Sequence, residues 1–461
     1  MTKLRTHRLF TFVPPPSRDR GNLEKLSLPA MVCIVVLFCA AAAIVSPAQS
    51  TLFRSLASFN GTNGSSPYFV TPVQGADGDI YGTTLTGGAN YNLLCYSEGC
   101  GTVFKVTPLG ALSTLYSFCA QPNCADGANP FAGLVQGSDG NFYGTAFFGG
   151  SYGYGTVLKI TPSGSLTTLH SFCSQPSCSD GYSSFAPLLQ ASDGNFYGTA
   201  HSGGSYGYGT VFKITPSGSL TTLYSFCSQA NCTDGANPYA GLVQGSDGNF
   251  YGTTQKGGYY CSPEGCGTVF RITTSGALTT LHSFNYTDGV YPYVGLVQAR
   301  DGNFYGTTAG GGAFQEGTVF QITPTGTLTT LYSSCAQNVG GSCTDGQNPW
   351  APLVQARDRN LYGTTFSGGI GGFGTIFEIT PSGTLTTLHG FDFPDGSGPH
   401  GLVQATSGVF YGTTFAGGIG YAGTVFSLLV IRECATCLPS GGDEPAGGRV
   451  GSRAPVKGRR R

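Results

Sequence analysis

The chain has 461 residues, a formal net charge of −1, 10% charged residues, 12% aromatic residues and 74 glycines. The glycines follow no Gly-X-Y triplet, which excludes collagen, and the aromatic content argues against a disordered chain. Residues 51–430 carry nine basic and 18 acidic side chains. This body therefore lacks the basic face that a nucleic-acid partner requires.

The first 50 residues have the pattern of an export leader. Residues 1–27 are polar and basic, residues 28–45 carry no charge, and Ser46-Pro47-Ala48 places small residues at a cleavage site after Ala48. We predict a signal peptide and an exported protein, secreted or at the cell surface. The alternative is an uncleaved anchor, which would be the only membrane contact; its 18 helical residues would reach about 27 Å, just short of a hydrocarbon core.

Residues 51–430 contain seven copies of one motif. Its most regular part is a Tyr-Gly pair after a tight turn, and the pairs begin at Tyr81, Tyr143, Tyr197, Tyr251, Tyr305, Tyr362 and Tyr411. Each copy divides into four short segments separated by turns such as Ser-Asp-Gly-Asn and Thr-Pro-Ser-Gly, which favour hairpins. Four strands in each of seven copies predict an all-β, seven-bladed β-propeller of four-stranded antiparallel blades.

The two ends of this body indicate how the ring closes. The seventh copy stops at residues 426–430 without a fourth strand, whereas residues 56–59 have a fourth-strand sequence but precede the first copy. We expect the N-terminal strand to complete the last blade, because closure removes the open sheet edges that a linear stack would expose. An open solenoid is the alternative.

The repeat also resembles a known family. Gly-Leu-Val-Gln-Gly-Ser-Asp-Gly-Asn-Phe-Tyr-Gly-Thr from residue 133, and Gly-Thr-Val-Phe-Lys-Ile-Thr-Pro-Ser-Gly-Ser-Leu-Thr-Thr-Leu-Tyr-Ser-Phe from residue 209, resemble the GloVer tandem repeat over nearly all of residues 51–430. The resemblance implies an exported bacterial protein of a family with varied C-terminal anchors and a largely uncharacterised role. Residues 431–461 show no such anchor and are predicted to be a disordered basic tail.

Fourteen cysteines outside the leader come as near neighbours, which predicts local disulfides in an exported protein. The pairs are Cys95 with Cys100, Cys119 with Cys124, Cys173 with Cys178, Cys227 with Cys232, Cys261 with Cys266, Cys335 with Cys343, and Cys434 with Cys437. The alternative is a zinc site, which favours C-x₂-C pairs that converge with His, and the spacing of these pairs departs from that pattern. We expect the ring to keep these pairs apart, so neither a metal site nor a cofactor is predicted.

Two sets of acids recur at fixed positions. One set lies in hairpin turns (Asp77, Asp139, Asp193, Asp247, Asp301 and Asp358), and the other precedes Gly between blades (Asp126, Asp180, Asp234, Asp288, Asp345 and Asp395). We interpret both as turn or cap residues. Weak calcium binding is the alternative for the second set, but one Asp per loop falls short of the six to eight oxygens that Ca²⁺ takes.

Topology divides the loops between two faces. The turns that join strands one and two, and strands three and four, are short. The loops between strands two and three and those between blades are long, variable and rich in Tyr, Ser, Gly and Asn, a composition typical of adaptable binding loops. We expect this loop-rich face to be the recognition surface; the alternative is that its Gly and Tyr residues only form turns.

Aromatic residues recur five positions before a constant Gln in six copies: Phe69, Phe131, Phe185, Tyr239, Tyr293 and Trp350, with His400 four positions before the Gln of the seventh. Because first strands line the central channel of a propeller, we expect these side chains near its mouth on the loop-rich face. Stacking on sugar rings would use them, and so would packing between blades. As the only Trp, Trp350 is the first choice for a ligand contact.

The leading interpretation is a non-enzymatic exported propeller that binds a glycan or a surface protein through its loop-rich face. No Gly-x-Ser-x-Gly, Walker or His-Glu-x-x-His motif is present. The second interpretation is a polysaccharide lyase or hydrolase that uses Glu264 or His400 at the channel mouth. The third is a structural spacer whose loops bind nothing.

Overall fold

A computed structural model describes residues 50–95, 98–261 and 264–432. These residues form seven four-stranded antiparallel sheets arranged in a ring, so the predicted seven-bladed β-propeller is confirmed. The predicted leader and C-terminal tail lie outside the described residues. In the part of the chain that the structure describes, no helix is long and apolar enough to cross a membrane.

Six blades use four consecutive strands, and the seventh uses both ends of the body. Blade 1 consists of Val73–Gln74, Ile80–Thr84, Thr102–Val106 and Leu112–Ser117; blade 2 of Val135–Gln136, Phe142–Ala146, Thr156–Ile160 and Leu166–Ser171; blade 3 of Leu189–Gln190, Phe196–Ala200, Thr210–Ile214 and Leu220–Ser225; blade 4 of Val243–Gln244, Phe250–Thr254, Thr268–Ile272 and Leu278–Ser283; blade 5 of Val297–Gln298, Phe304–Thr308, Thr318–Ile322 and Leu328–Ser333; blade 6 of Val354–Gln355, Leu361–Thr365, Thr375–Ile379 and Leu385–Gly390; blade 7 of Ser397–Gln404, Phe410–Ala416, Thr424–Ile431 and Ser50–Ser58.

The ring closes as predicted. The strand Ser50–Ser58 pairs antiparallel with Thr424–Ile431, with Thr51 opposite Val430 and Ser58 opposite Thr424. The strand is longer than the residues 56–59 that sequence reasoning assigned to it. Phe59 follows the strand rather than ending it, and its side chain is fully buried. This pairing joins the first described residues to the last.

The first strand has only two residues in each of blades 1 to 6, whereas in blade 7 it spans Ser397–Gln404. Gly133 and Leu134 of the repeat motif lie outside the first strand of blade 2, because only Val135–Gln136 pair with the second strand. A Cβ added to Gly133 would lie 2.3 Å from the carbonyl oxygen of Thr71 in blade 1. Only a residue without a side chain can approach a neighbouring backbone this closely.

The core lies between blades, and the repeated Tyr of the Tyr-Gly pair is central to it. Tyr143 of blade 2 is fully buried and stacks on Phe196 of blade 3, with ring centroids 4.0 Å apart. Its hydroxyl donates a hydrogen bond to Asp139 at 2.8 Å. Equivalent ring contacts join Tyr81 to Phe142, Tyr197 to Phe250, Tyr251 to Phe304 and Tyr362 to Phe410. The predicted turn acids therefore also accept the hydroxyl of the buried Tyr.

The Gly of the Tyr-Gly pair leaves room for a Phe ring of the third strand in six blades and for Leu158 in blade 2. In blade 4, a Cβ added to Gly252 would lie 2.7 Å from Cζ of Phe270. Phe270 is fully buried and pairs with Gly252 across the second and third strands. The repeated Gly is therefore required by close packing within each blade rather than by a turn.

The constant Gln joins each blade to its neighbour. Its side-chain oxygen accepts a backbone N–H from the turn of the preceding blade at 2.8–3.1 Å, and its side-chain nitrogen donates to a carbonyl in its own turn. In each of the following pairs the backbone N–H of the first residue donates to the side chain of the second: Ala76 and Gln136, Ser138 and Gln190, Ser192 and Gln244, Ser246 and Gln298, Arg300 and Gln355, Arg357 and Gln404, and Thr406 and Gln74. These hydrogen bonds run round the complete ring.

Six disulfides confirm the pairing predicted for the cysteines between residues 95 and 343. They are Cys95–Cys100, Cys119–Cys124, Cys173–Cys178, Cys227–Cys232, Cys261–Cys266 and Cys335–Cys343. Three of the second members end short 3₁₀ turns, at Pro122–Cys124, Pro176–Cys178 and Ala230–Cys232. The longest of the segments that these disulfides close, between Cys335 and Cys343, contains a small hairpin of Asn338–Val339 paired with Ser342–Cys343.

The seventh predicted disulfide differs from these six, because its cysteines are in the tail. Cys434 lies outside the described residues. Cys437 lies outside them as well. The pairing of Cys434 and Cys437 therefore stays a prediction from their spacing.

The expectation that the ring keeps all cysteine pairs apart is wrong at blade 1. The four sulfur atoms of Cys95, Cys100, Cys119 and Cys124 lie within 4.8 Å of one another. The loop between strands two and three and the connection to blade 2 both leave blade 1 on the loop-rich face. The backbone N–H of Asn129 in the connection donates to the carbonyl oxygen of Cys100 in the loop at 2.7 Å.

We predict that Gly252→Ala lowers the free energy of unfolding by about 1–3 kcal/mol, because the added methyl group overpacks the Phe270 ring. Chemical denaturation of the oxidised full chain measures the change. Gly390→Ala is the matched control, since its Cβ would meet only the backbone nitrogen of Ile370, at 3.7 Å. Equal stability of Gly252→Ala and the control would contradict this account of the Tyr-Gly pair.

Candidate functional site

Five of the predicted aromatic residues form a continuous arc at the channel mouth. Ring centroids are 4.9 Å apart for Phe131 and Phe185, 4.1 Å for Phe185 and Tyr239, 5.2 Å for Tyr239 and Tyr293, and 6.2 Å for Tyr293 and Trp350. Each residue precedes the first strand of its own blade. The repeat therefore brings one aromatic side chain from each of blades 2 to 6 to the same circle.

Phe69 lies inside this circle rather than on it. Its ring centroid is 5.2 Å from Tyr239, 6.3 Å from Trp350 and 5.3 Å from His400, so a residue of blade 1 contacts blades 4, 6 and 7. Its backbone φ is 55°, a left-handed conformation that is costly for a bulky residue. Packing against rings from the opposite side of the axis holds it there.

Tyr68 takes the place on the circle that sequence reasoning gave to Phe69. Its ring centroid is 6.1 Å from Phe131 and 5.2 Å from His400. Blade 1 has one residue more between its Pro and its Gln than blade 2, and blade 7 has one fewer. Counting back from Gln therefore selected Phe69, whereas counting forward from the Pro would have selected Tyr68.

A second tier of side chains supports the circle, and sequence reasoning missed it. These residues lie four positions after the Tyr of the Tyr-Gly pair: Phe147, His201 and Phe366 directly follow the second strand, and Phe415 lies within the longer second strand of blade 7. Phe366 stacks on Trp350 with centroids 4.5 Å apart, and Phe415 lies 5.2 Å from Tyr68. Their fixed position after the Tyr-Gly pair is the signal that could have identified them.

His400 is fully buried in this cluster, and the cost of burying a charge lowers the pKa of its imidazole to about 3. It is therefore neutral at pH 7. Neither ring nitrogen of His400, nor Nε1 of Trp350, has a hydrogen-bond partner among the residues that the structure describes. His400 is covered from solvent, whereas Trp350, Tyr239 and Tyr293 are half-buried.

Below Phe69 the channel holds an apolar cavity of about 320 Å³. Its wall is formed by residues that directly precede the first strands, such as Leu134, Leu188, Leu242 and Leu296, and Phe69 also lines it. Phe185, Tyr239 and Tyr293 of the aromatic cluster line the same cavity. The mouth is packed with rings instead of leaving an open channel for a polymer.

A larger cleft opens on the loop-rich face between blades 3 and 4, with a volume of about 630 Å³. Three tyrosines line it with exposed rings: Tyr208 is 46% exposed, Tyr259 77% and Tyr260 54%. Lys256 and Glu264 form an ion pair of 2.8 Å in its wall. Aromatic faces beside hydrogen-bonding groups are suited to a hydroxylated ligand with apolar ring faces.

Backbone hydrogen bonds and a disulfide hold the cleft in shape. The backbone N–H of Asn237 donates to the carbonyl oxygen of Tyr208 at 2.8 Å, and Ala236 and Lys256 exchange backbone hydrogen bonds at 2.8 and 3.0 Å. The Cys261–Cys266 disulfide lies in the same loop, directly after Tyr259 and Tyr260. The cleft therefore joins two adjacent blades through main-chain contacts, which limit the rearrangement needed on binding.

One further hydrogen bond connects the cleft to the channel mouth. Nε2 of Gln255 donates to the hydroxyl of Tyr293 at 3.2 Å, and Gln255 directly precedes Lys256 in the cleft wall. An extended ligand could therefore contact both regions of the same face.

The acids between blades pair with the fourth strand, an arrangement that sequence reasoning did not foresee. Asp126 accepts the hydroxyl of Tyr116 at 2.7 Å and the backbone N–H groups of Ala120 and Gln121. Burial and the hydrogen bond to Asp126 raise the pKa of the Tyr116 hydroxyl. Equivalent pairs are His170–Asp180, Tyr224–Asp234, His282–Asp288, Tyr332–Asp345 and His389–Asp395. The predicted cap role is confirmed for Asp126.

The fold and the loops together define a disulfide-containing β-propeller with long, variable loops on one face. The Gloeobacter/Verrucomicrobia repeat matches the chain four times in tandem, over residues 43–185, 94–297, 173–343 and 261–440. The chain belongs to this repeat family, and the resemblance to the GloVer repeat is confirmed. No curated protein matches it.

Several solved structures are similar in fold at low sequence identity. One is PorZ, a surface component of the type-IX secretion system of Porphyromonas gingivalis, with 11% identity, a TM-score of 0.46, and coverage of 80% of this chain and 47% of PorZ. Another, provisionally described as a 6-phosphogluconolactonase, is from Bacteroides uniformis, with 16% identity, a TM-score of 0.43, and coverage of 68% and 84%. An uncharacterised protein from Dyadobacter fermentans has 10% identity, a TM-score of 0.42, and coverage of 85% and 100%.

We predict that Phe69→Ala lowers the free energy of unfolding by about 2–4 kcal/mol, because it removes a ring that contacts blades on the far side of the axis. Denaturant titration of the oxidised full chain measures the loss. Phe314→Ala is the control: its ring is 50% exposed in the loop between strands two and three of blade 5. A loss for Phe69→Ala no larger than that of the control would show that Phe69 does not hold the cluster together.

Proposed function

We propose that the protein is exported and binds a glycan on its loop-rich face, with the cleft between blades 3 and 4 as the main site. The cleft carries this proposal, because it combines three exposed tyrosine rings with the charged pair Lys256 and Glu264. Sugars have apolar ring faces, which stack on aromatic side chains, and hydroxyl edges, which exchange hydrogen bonds with groups of this kind.

Export is supported by the predicted leader and by the six disulfides, which form and persist mainly in oxidising compartments. The short loops that these disulfides close all lie on the loop-rich face. We infer that they keep binding loops in one conformation outside the cell.

The aromatic mouth is a secondary part of the proposed site. Trp350, Tyr239 and Tyr293 are half-buried and can offer part of a ring to a ligand that extends from the cleft. Phe131, Phe69 and His400 are proposed to contribute by holding these rings in place, since Phe131 is 6% exposed and His400 is fully covered.

Binding is favoured over catalysis by the chemistry of the same cleft. Glycoside hydrolysis usually requires two carboxyl groups, one on each side of the scissile bond. Among the described residues that line the cleft, Glu264 is the single carboxylate, and Lys256 occupies one of its oxygens. A lyase or hydrolase remains the second interpretation, and activity on a polysaccharide panel that is lost on Glu264→Gln would support it.

We predict that the double substitution Tyr259→Ala/Tyr260→Ala weakens binding of a polysaccharide found on a glycan array by tenfold or more, as expected for the loss of central aromatic contacts. Calorimetric titration of the secreted protein measures the change. Tyr152→Ala/Tyr154→Ala is the matched control, because these residues are similarly exposed on blade 2, at 54% and 46%.

The proposal fails if no glycan binds, or if both double variants bind as tightly as the unmodified protein. Trp350→Ala tests the mouth separately. A loss of affinity limited to longer oligosaccharides is expected if the ligand extends from the cleft towards Tyr293.

A further inference from the structure

The two disulfides at blade 1 form a four-sulfur cluster with a special position in the ring. Cys95 and Cys100 belong to the loop between strands two and three, and Cys119 and Cys124 to the connection that leads to blade 2. All four sulfur atoms lie within 4.8 Å of one another. Cys100 and Cys124 are buried, and Cys95 and Cys119 are half-buried.

This convergence is found at blade 1 alone among the described residues. Blades 2 and 3 carry a cysteine pair in the following connection, Cys173 with Cys178 and Cys227 with Cys232, and blade 4 carries one in its loop, Cys261 with Cys266. Only blade 1 has both pairs. The other blades therefore provide internal controls with the same local spacing and no partner pair.

Four thiolates at this separation match a tetrahedral zinc site. Zinc binds cysteine sulfur at about 2.3 Å, which places the four sulfurs of a tetrahedral site about 3.8 Å apart, and C-x₄-C lies within the usual range of ligand spacings. The largest sulfur–sulfur distance in the cluster has to shorten by about 1 Å to reach this geometry. The two sulfurs of each disulfide have to move apart once their bond is reduced.

The backbone around the cluster is held by contacts that do not involve sulfur. Asn129 of the connection donates its backbone N–H to Cys100, and the side chain of Asn90 in the loop donates to the carbonyl oxygens of Ser117 and Phe118 at 3.0 Å each. The backbone N–H of Cys119 donates to Gly127. Reduction of the disulfides therefore leaves the loop and the connection tied together with four free thiols between them.

We propose that the reduced protein binds one Zn²⁺ at Cys95, Cys100, Cys119 and Cys124 as a tetrathiolate site. The four thiols lose their protons when they bind the metal. Oxidation by two molecules of a disulfide-containing oxidant takes one electron pair from each pair of thiolates. It forms the two local disulfides, converts the oxidant to four thiolates and releases Zn²⁺ with its charge unchanged. The metal links the loop to the connection, whereas each disulfide closes only its own segment.

The test measures zinc in the full chain after reduction under argon, incubation with ZnCl₂ and removal of free metal. All variants carry Cys434→Ser and Cys437→Ser, which remove the C-x₂-C pair of the tail. We expect one Zn²⁺ per chain, and Co²⁺ in place of zinc should give the thiolate charge-transfer and tetrahedral d–d absorption bands. Adding oxidised glutathione should release the metal as the two blade 1 disulfides form.

Three double variants test whether the bound zinc depends on the blade 1 cysteines. Cys119→Ser/Cys124→Ser should lose the zinc and the cobalt bands, whereas Cys173→Ser/Cys178→Ser at blade 2 should keep both. Cys95→Ser/Cys100→Ser repeats the first test from the other segment, and circular dichroism of each oxidised variant confirms that it is folded. Absence of stoichiometric zinc from the parent, or equal losses in the blade 1 and blade 2 variants, would overturn the proposal.

Discussion

The structure depends on the hydrogen bond between the constant Gln of each blade and the turn of the preceding blade. A neutral hydrogen bond of this kind contributes about 1 kcal/mol on its own, but the seven bonds form a closed series. The last of them, from the N–H of Thr406 to Gln74, joins blade 7 to blade 1 at 2.8 Å. Because the Gln also bonds its own turn, every turn on that face has a fixed distance from the next.

The two faces of the propeller differ in the kind of contact that joins their blades. On the turn face, each Gln links neighbouring turns, and the Tyr hydroxyl and an Asp carboxylate complete the contact in blades 1 to 6, as for Tyr143 and Asp139. Insertions in these turns would change the distance between neighbouring turns that the Gln side chains link. On the opposite face, backbone hydrogen bonds such as Asn129 to Cys100 and Asn237 to Tyr208 also join neighbouring blades, but the loops around them differ in length and composition and carry the clefts, disulfides and exposed tyrosines.

The fold was predictable because it follows from counting strands. Seven copies, a missing fourth strand at the end and a spare one at the start together required closure by the N-terminal strand. Strand bounds were less predictable. Gly133 lies outside the first strand of blade 2 and packs closely against the backbone of Thr71, which is distant in sequence. The constant Gln was visible as a repeat, but its partner belongs to the neighbouring blade and could not be read from one copy.

The candidate site was predictable only in part. The repeat located the circle of aromatics, but the extra residue in blade 1 and the missing one in blade 7 changed the register, so Tyr68 and Phe69 exchanged roles. The cleft between blades 3 and 4 depends on how Tyr208 and Tyr259 approach each other from separate loops. The four sulfurs at blade 1 likewise converge through folding, since Cys100 and Cys119 are 19 positions apart in the sequence.

The most direct test of the closed ring is a cross-link between its two ends. Thr51 and Val430 face each other in the pairing of Ser50–Ser58 with Thr424–Ile431. The variant Thr51→Cys/Val430→Cys should form an intramolecular disulfide, found by mass spectrometry as one cross-linked peptide pair in monomeric protein. Free thiols at both positions under oxidising conditions, or cross-links only between molecules, would contradict the closed ring.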